Sequence, residues 1–73
     1  MKNKENNKVK IGKILKRERV ERGLTQVKLS EILSINRVNY CRYETDVNQP
    51  TITTLINLAD YYGITVDKLI GRE

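Results

Sequence analysis

The chain has 73 residues and a net charge of +5, with no His, Trp or Phe and a single Cys. That length allows one small domain, which buries only roughly 60% of its unfolded surface, so no active site can be enclosed between domains. Without His, and with Cys41 alone, most metal sites, most nucleophile–base pairs and any disulfide within the chain are excluded.

Nothing in the sequence forms a convergent acid–base set, so the expectation is a non-enzyme with no cofactor and no metal. A lone Cys41 is the usual state of a thiol in a reducing interior. No apolar run approaches the ~18 residues of a membrane span, and the first ten residues lack the apolar segment of a secretion signal. The protein is therefore expected in the cytoplasm, away from membranes.

Residues 1–10, MKNKENNKVK, carry four Lys against one Glu and so hold +3 of the net charge. Their Asn/Lys-rich composition predicts a basic flexible arm. Such an arm can lie on phosphates or enter a minor groove; the plainer alternative is a solvated tail.

The folded domain is expected over residues 11–71. Ile11, Ile14 and Leu15 make a narrow apolar stripe, extended by the stem of Arg19, which predicts helix 1 over residues 11–22 with Gly23 as its stop. Thr25 is placed to cap helix 2, where Leu29, Ile32 and Leu33 recur at helical spacing. Ser34-Ile35 makes the break, and Asn36 is the natural cap of a third helix over residues 37–45.

After a polar loop, Thr51 can cap helix 4, with an inner face of Ile52, Leu55, Ala59 and Tyr62 and a stop at Gly63. Thr65 caps a last short helix, in which Val66, Leu69 and Ile70 form the apolar stripe. The expected architecture is all-α: five helices and no sheet, with helices 2 and 3 meeting at a tight turn.

On a wheel of residues 37–45, Arg37, Val38, Cys41, Arg42 and Thr45 share one side, while Tyr40 and Tyr43 face the other helices. The outward set suits base reading: the planar Arg fork matches guanine O6 and N7, and Val38 offers an apolar surface to a thymine methyl. Asn36 and Arg37 stand at the helix start, the end that enters a major groove first. The competing reading is a solvated face with ordinary charges.

Thr25 and Gln26 lie at the start of helix 2, where free backbone N–H groups and the helix dipole favour phosphate. Contacts there fix register without reading sequence. Glu44 sits close to this phosphate-facing region and needs a neutralising partner; Arg19 is the expected one, in a structural ion pair joining helix 1 to helix 3.

These residues resemble a known family. IGKILKRERVERGLTQVKLSEIL, SINRVNYCRYE, Pro50-Thr51 and TLINLADYYGITVDKLIG together are similar to the Cro/C1-type helix-turn-helix proteins, the xenobiotic-response-element family, over residues 11–71. The resemblance implies a compact five-helix lambda-repressor-like domain that binds operator DNA, usually as a homodimer, and regulates transcription. It also implies that Gln26, Asn36, Arg37, Val38, Asn39 and Arg42 touch DNA, and that Arg19 and Glu44 form an internal bridge. Three positions depart from the family's habit: Ser34 where the turn often has Gly, Ser30 in place of Ala, and Asp46 at a frequent Gly position.

One such module covers only about 600–1,000 Å² of DNA, so two copies on half-sites roughly 34–36 Å apart are physically expected. Tyr61, Ile64 and Ile70 are the candidate dimer residues; ordinary core or scattered surface is the alternative. The leading functional expectation is a sequence-specific transcriptional regulator, a repressor of a (pseudo)palindromic operator read through residues 36–45. The alternative is a protein-interaction module, an antitoxin or adaptor with a protein partner and weak DNA binding.

Overall fold

The computed structural model describes residues 9–73, so residues 1–8 of the basic arm lie outside the described residues. Among those described there are five helices and no strand: α1 (Gly12–Glu21), α2 (Gln26–Leu33), α3 (Arg37–Glu44), α4 (Ile52–Tyr62) and α5 (Val66–Leu69).

Local chemistry sets most of the boundaries. Four of the five helices begin on a side-chain cap: Thr25, Asn36, Thr51 and Thr65 accept from the backbone N–H of Lys28, Asn39, Thr54 and Lys68. Each cap is worth about 1 kcal/mol. α1 has no such residue, since Ile11 precedes it. The distant Asp46 supplies the acceptor instead, its Oδ1 taking the N–H of Ile11 at 2.9 Å and of Gly12 at 3.0 Å.

The stops are equally local. At the end of α1, the N–H of Gly23 bonds the Val20 carbonyl and that of Leu24 bonds the Arg19 carbonyl, a reversal that needs the positive φ of +70° at Gly23. The turn between α2 and α3 makes the same left-handed step with Ser34, at φ 55°. Asp46 likewise takes a positive φ, 62°, after α3.

Each helix sends one fully covered side chain to the centre: Leu15, Leu29, Tyr40, Leu58 and Leu69. At about 1.5–3 kcal/mol for each buried apolar side chain, this shared contact is what makes five short helices one unit. Ile11, Leu55, Ala59 and Tyr62 complete the core, with Leu33, Ile64, Val66 and Ile70 packed around it.

Two expectations about the core need correction. Ile52 is 72% exposed and contributes nothing to the inner face of α4; that face is Leu55, Leu58, Ala59 and Tyr62. The i, i+3, i+4, i+7 stripe is complete without Ile52, which lies on the first turn at the rim of an apolar groove. Ile32 also faces outward, leaving Leu29 and Leu33 to anchor α2.

α3 packs against both α1 and α2. Gly12 permits the approach of α1, because a Cβ there would fall 2.2 Å from the Glu44 carbonyl oxygen. At the other end of α1, the Arg22 guanidinium lies 4.3 Å from the centre of the Tyr62 ring and donates to the Tyr62 carbonyl. α1 is thus tied to α3 at its start and to α4 at its end.

Candidate nucleic-acid interface

α3 divides cleanly between inside and outside. Tyr40 is fully buried and Tyr43 half-buried, with their rings 6.2 Å apart in an edge-to-face arrangement. Arg37, Val38, Asn39, Cys41, Arg42 and Thr45 are exposed. Neither Arg37 nor Arg42 forms an ion pair among the described residues, which leaves both guanidiniums for an external anion or base.

Arg37, Val38, Cys41 and Arg42 line a shallow recess of about 260 Å³, and Gln26 from the first turn of α2 forms its fifth side. Two cationic forks, an apolar spot and an amide therefore border one concavity. Among the described residues, no group of three or more His, Cys, Asp or Glu side chains is placed to hold a metal ion.

Asn36 and Asn39 stand around the corner. Asn36 spends its Oδ1 on the N–H of Asn39. Both border a separate polar cleft of about 270 Å³, shared with Tyr43, Thr54 and Asn57. Thr25 acts as the cap of α2, its hydroxyl 3.0 Å from the Lys28 nitrogen. The expected contact residues thus fall into two groups, Gln26, Arg37, Val38 and Arg42 on one flank and Asn36 and Asn39 on the other.

Behind the recess lies Glu44, whose side chain is only 3% exposed. Its Oε2 accepts from Arg19 Nε at 2.7 Å and from the Tyr40 hydroxyl at 2.5 Å. Its Oε1 accepts from Arg19 Nη2 at 3.1 Å and from Gln26 Nε2 at 2.9 Å. Arg19 also donates through Nη1 to the Leu24 carbonyl. The expected Arg19–Glu44 pair is present, within a larger network than the sequence suggested.

The electrostatics follow from that network. Burial pushes the Glu44 carboxyl upward, but the donors Arg19, Tyr40 and Gln26 outweigh it and hold the group below its ordinary value. Glu44 in turn raises the Arg19 guanidinium further. Burial first, and then donation to Glu44, lift the Tyr40 phenol well above the usual range. The carboxylate thus stays charged yet fully occupied, which keeps its negative charge from the outward strip.

Sequence reasoning missed two participants. The sequence places Tyr40 toward helices 1 and 2 without naming a partner for its hydroxyl, which donates to Glu44, and places Gln26 toward phosphate, whereas its amide nitrogen also donates to Glu44. The Gln26–Glu44 bond spans 18 residues, a separation that no local pattern reveals. Ser30 is buried and settles its hydroxyl on the Val27 carbonyl at 2.8 Å, so it fits where a smaller residue would.

The candidate dimer residues are distributed unevenly. Tyr61 is exposed beside Tyr62, whereas Ile64 and Ile70 pack against the core. Ile70 also borders an apolar groove with Val9, Ile11, Pro50, Ile52 and Leu55. No helix among the described residues is long and apolar enough to cross a membrane.

Comparison with known proteins points the same way as the geometry. A family model described as helix-turn-helix matches residues 15–69. The chain is 36% identical over 63 residues to the HTH-type transcriptional regulator ImmR of Bacillus subtilis, covering 86% of this chain and 50% of that protein. It is also 36% identical over 63 residues to the immunity repressor protein of Bacillus phage phi105, covering 86% of this chain and 44% of that protein. The cryptic phage CTXphi transcriptional repressor RstR of Vibrio cholerae is 31% identical over 64 residues, covering 88% of this chain and 57% of that protein. The chain thus spans about half the length of these curated relatives. Among solved structures, the BldD DNA-binding domain from S. venezulae superposes with a TM-score of 0.72 at 28% identity, covering 85% of this chain and 93% of that one.

Proposed function

Because the chain belongs to the Cro/C1-type helix-turn-helix family, we propose that it is a sequence-specific DNA-binding transcriptional regulator that represses by occupying an operator. The observation that carries this reading is the exposed strip of Arg37, Val38, Cys41 and Arg42 on α3, braced from behind by the buried Glu44 network. Arg37 and Arg42 supply bidentate donors for guanine edges, and Val38 supplies apolar contact for a thymine methyl. The backbone at the start of α2, capped by Thr25, faces phosphate and sets register. Asn36 and Asn39 serve the flank that adjoins α4.

The operator is read as a two-fold (pseudo)palindrome bound by a homodimer. A single strip of this size is a thin basis for choosing one genomic site, and a second copy doubles the base pairs read. Tyr61 is the exposed member of the proposed contact, with Ile64 and Ile70 behind it. Such a protein works where the chromosome is, which supports the cytoplasmic reading.

The basic arm adds a charge term. Its root is held beside the α3–α4 loop, where the Val9 carbonyl accepts from Gln49 Nε2 at 2.6 Å. By composition alone, the lysines of residues 1–10 would add phosphate neutralisation and with it a steeper salt dependence.

A second reading has one observation in its favour. Ile52 and Ile56 leave apolar surface on α4, next to the groove that Val9, Pro50 and Ile70 line. A protein partner seated there would make the chain an adaptor or antitoxin with weak DNA binding. Selection from a random duplex library at several salt concentrations separates the two readings. A regulator selects one motif, made of two related half-sites, with affinity falling steeply as salt rises. An adaptor selects none and co-purifies with its partner at fixed stoichiometry.

A further inference from the structure

The four α3 side chains that line the recess follow a definite order around the helix. At about 100° per residue, Arg37, Cys41, Val38 and Arg42 succeed one another within roughly 140° of its surface. The two cations therefore stand at the edges of the strip, with the two uncharged side chains between them. Val38 and Cys41 are three residues apart and so are surface neighbours, whereas Arg37 and Arg42, five apart, are not.

Both central members are apolar. Val38 is 53% exposed, and Cys41 is a free, exposed thiol, which packs as a small hydrophobe with only a weak donor. The methyl group that DNA shows in its major groove is the one at C5 of a pyrimidine, present in thymine and absent from cytosine. Arg37 and Arg42 are separated by about 7.5 Å of helix rise, or roughly two base-pair steps of about 3.4 Å. One base pair thus falls between the two that the arginines read.

We propose that Val38 and Cys41 together seat the C5-methyl of the pyrimidine in that middle base pair, which makes Cys41 a specificity-determining residue. A methyl carried by cytosine occupies the same place as that of thymine, so methylation of a cytosine at this pair raises affinity. The operator class is a methyl-bearing pyrimidine with a guanine-containing pair on either side, and its occupancy responds to DNA methylation. This inference rests on the DNA-binding reading and adds the chemical identity of the base pair between the two arginines.

The middle pair is located first, as the one between the pairs at which Arg37→Ala and Arg42→Ala lose their preference. Wild type, Val38→Ala and Cys41→Ser are then bound to four duplexes carrying thymine, uracil, 5-methylcytosine or cytosine there. Thymine against uracil, and 5-methylcytosine against cytosine, differ by the methyl alone. The ratio within each comparison is unaffected by a change in folded fraction, because both duplexes draw on the same folded protein. In wild type the methyl is expected to raise affinity about fourfold in each comparison, a gain that Val38→Ala and Cys41→Ser each reduce. No methyl gain in wild type, a gain that Cys41→Ser leaves intact, or two arginine-read pairs with none between them would overturn the proposal. A wild type with no preference among duplexes of the library would overturn the DNA-binding reading itself, and this inference with it.

Discussion

The Asp46 carboxylate, at the exit of α3, caps the start of α1 by accepting the N–H groups of Ile11 and Gly12. One residue thereby terminates the recognition helix, in a left-handed conformation at φ 62°, and anchors the helix that supports it. Its negative charge is placed at the positive end of the α1 dipole rather than toward an approaching duplex.

Replacing Asp46 therefore has a predictable cost. Asp46→Ala removes both acceptors and leaves a Cβ residue with no local bond to support the left-handed turn, for an expected loss of about 1–2 kcal/mol. Gly12→Ala is expected to cost more, about 3 kcal/mol, because its Cβ would collide with the Glu44 backbone at 2.2 Å. Urea denaturation reads both values, and the slope of the transition should stay unchanged.

The buried network makes stability depend on pH at both ends. Glu44 titrates below its ordinary value of 4.5 when folded. Its contribution is complete above that value and is lost as pH falls through the lower folded one. The tyrosines act in the opposite sense. Burial raises Tyr40, and raises Tyr62 from 10.0 to about 12; their contribution is complete below pH 10 and is lost as pH rises through the folded values. Melting temperature against pH should form a plateau with both edges, and Tyr62→Phe should soften the alkaline one. Glu44→Ala, which strands Arg19 in the interior, is expected to cost about 3–5 kcal/mol at neutral pH.

Ser34 is an opposite case, a place where a substitution should help. It takes φ 55° at the turn between α2 and α3, a conformation that costs a non-glycine residue roughly 1–2 kcal/mol. Ser34→Gly relieves that strain while adding freedom to the unfolded chain, so the expected gain is about 0.5–1 kcal/mol. Thermal melting checks the sign, and specific DNA affinity should be unchanged.

Much of this was legible in the sequence because the punctuation is local. Gly23, Gly63 and the caps Thr25, Asn36, Thr51 and Thr65 act within four residues of themselves, and the helices follow. The division of α3 into Tyr40 inside and Arg37, Val38 and Arg42 outside also follows from its period. What escaped is what depends on how helices cross. Ile52 has the right spacing for the inner face of α4, yet it stays exposed at the edge of the groove that Ile11 and Ile70 also line. Asp46 capping α1 and Gln26 meeting Glu44 join residues far apart in the chain, and periodicity carries no record of such pairs. The Arg19–Glu44 pair is legible because a carboxylate near a phosphate-facing surface demands a cation, and because the family resemblance implies the same bridge.

The central claim is that the outward side chains of α3 read base edges. Its most direct test compares the affinity of wild type, Arg37→Ala and Arg42→Ala for the selected operator, with melting temperature as the control. Each variant is expected to lose about 1–3 kcal/mol of preference for its own base pair, with melting unchanged because both side chains are exposed and in no ion pair among the described residues. Wild-type affinity in both variants, or losses that merely track a lowered melting temperature, would contradict it.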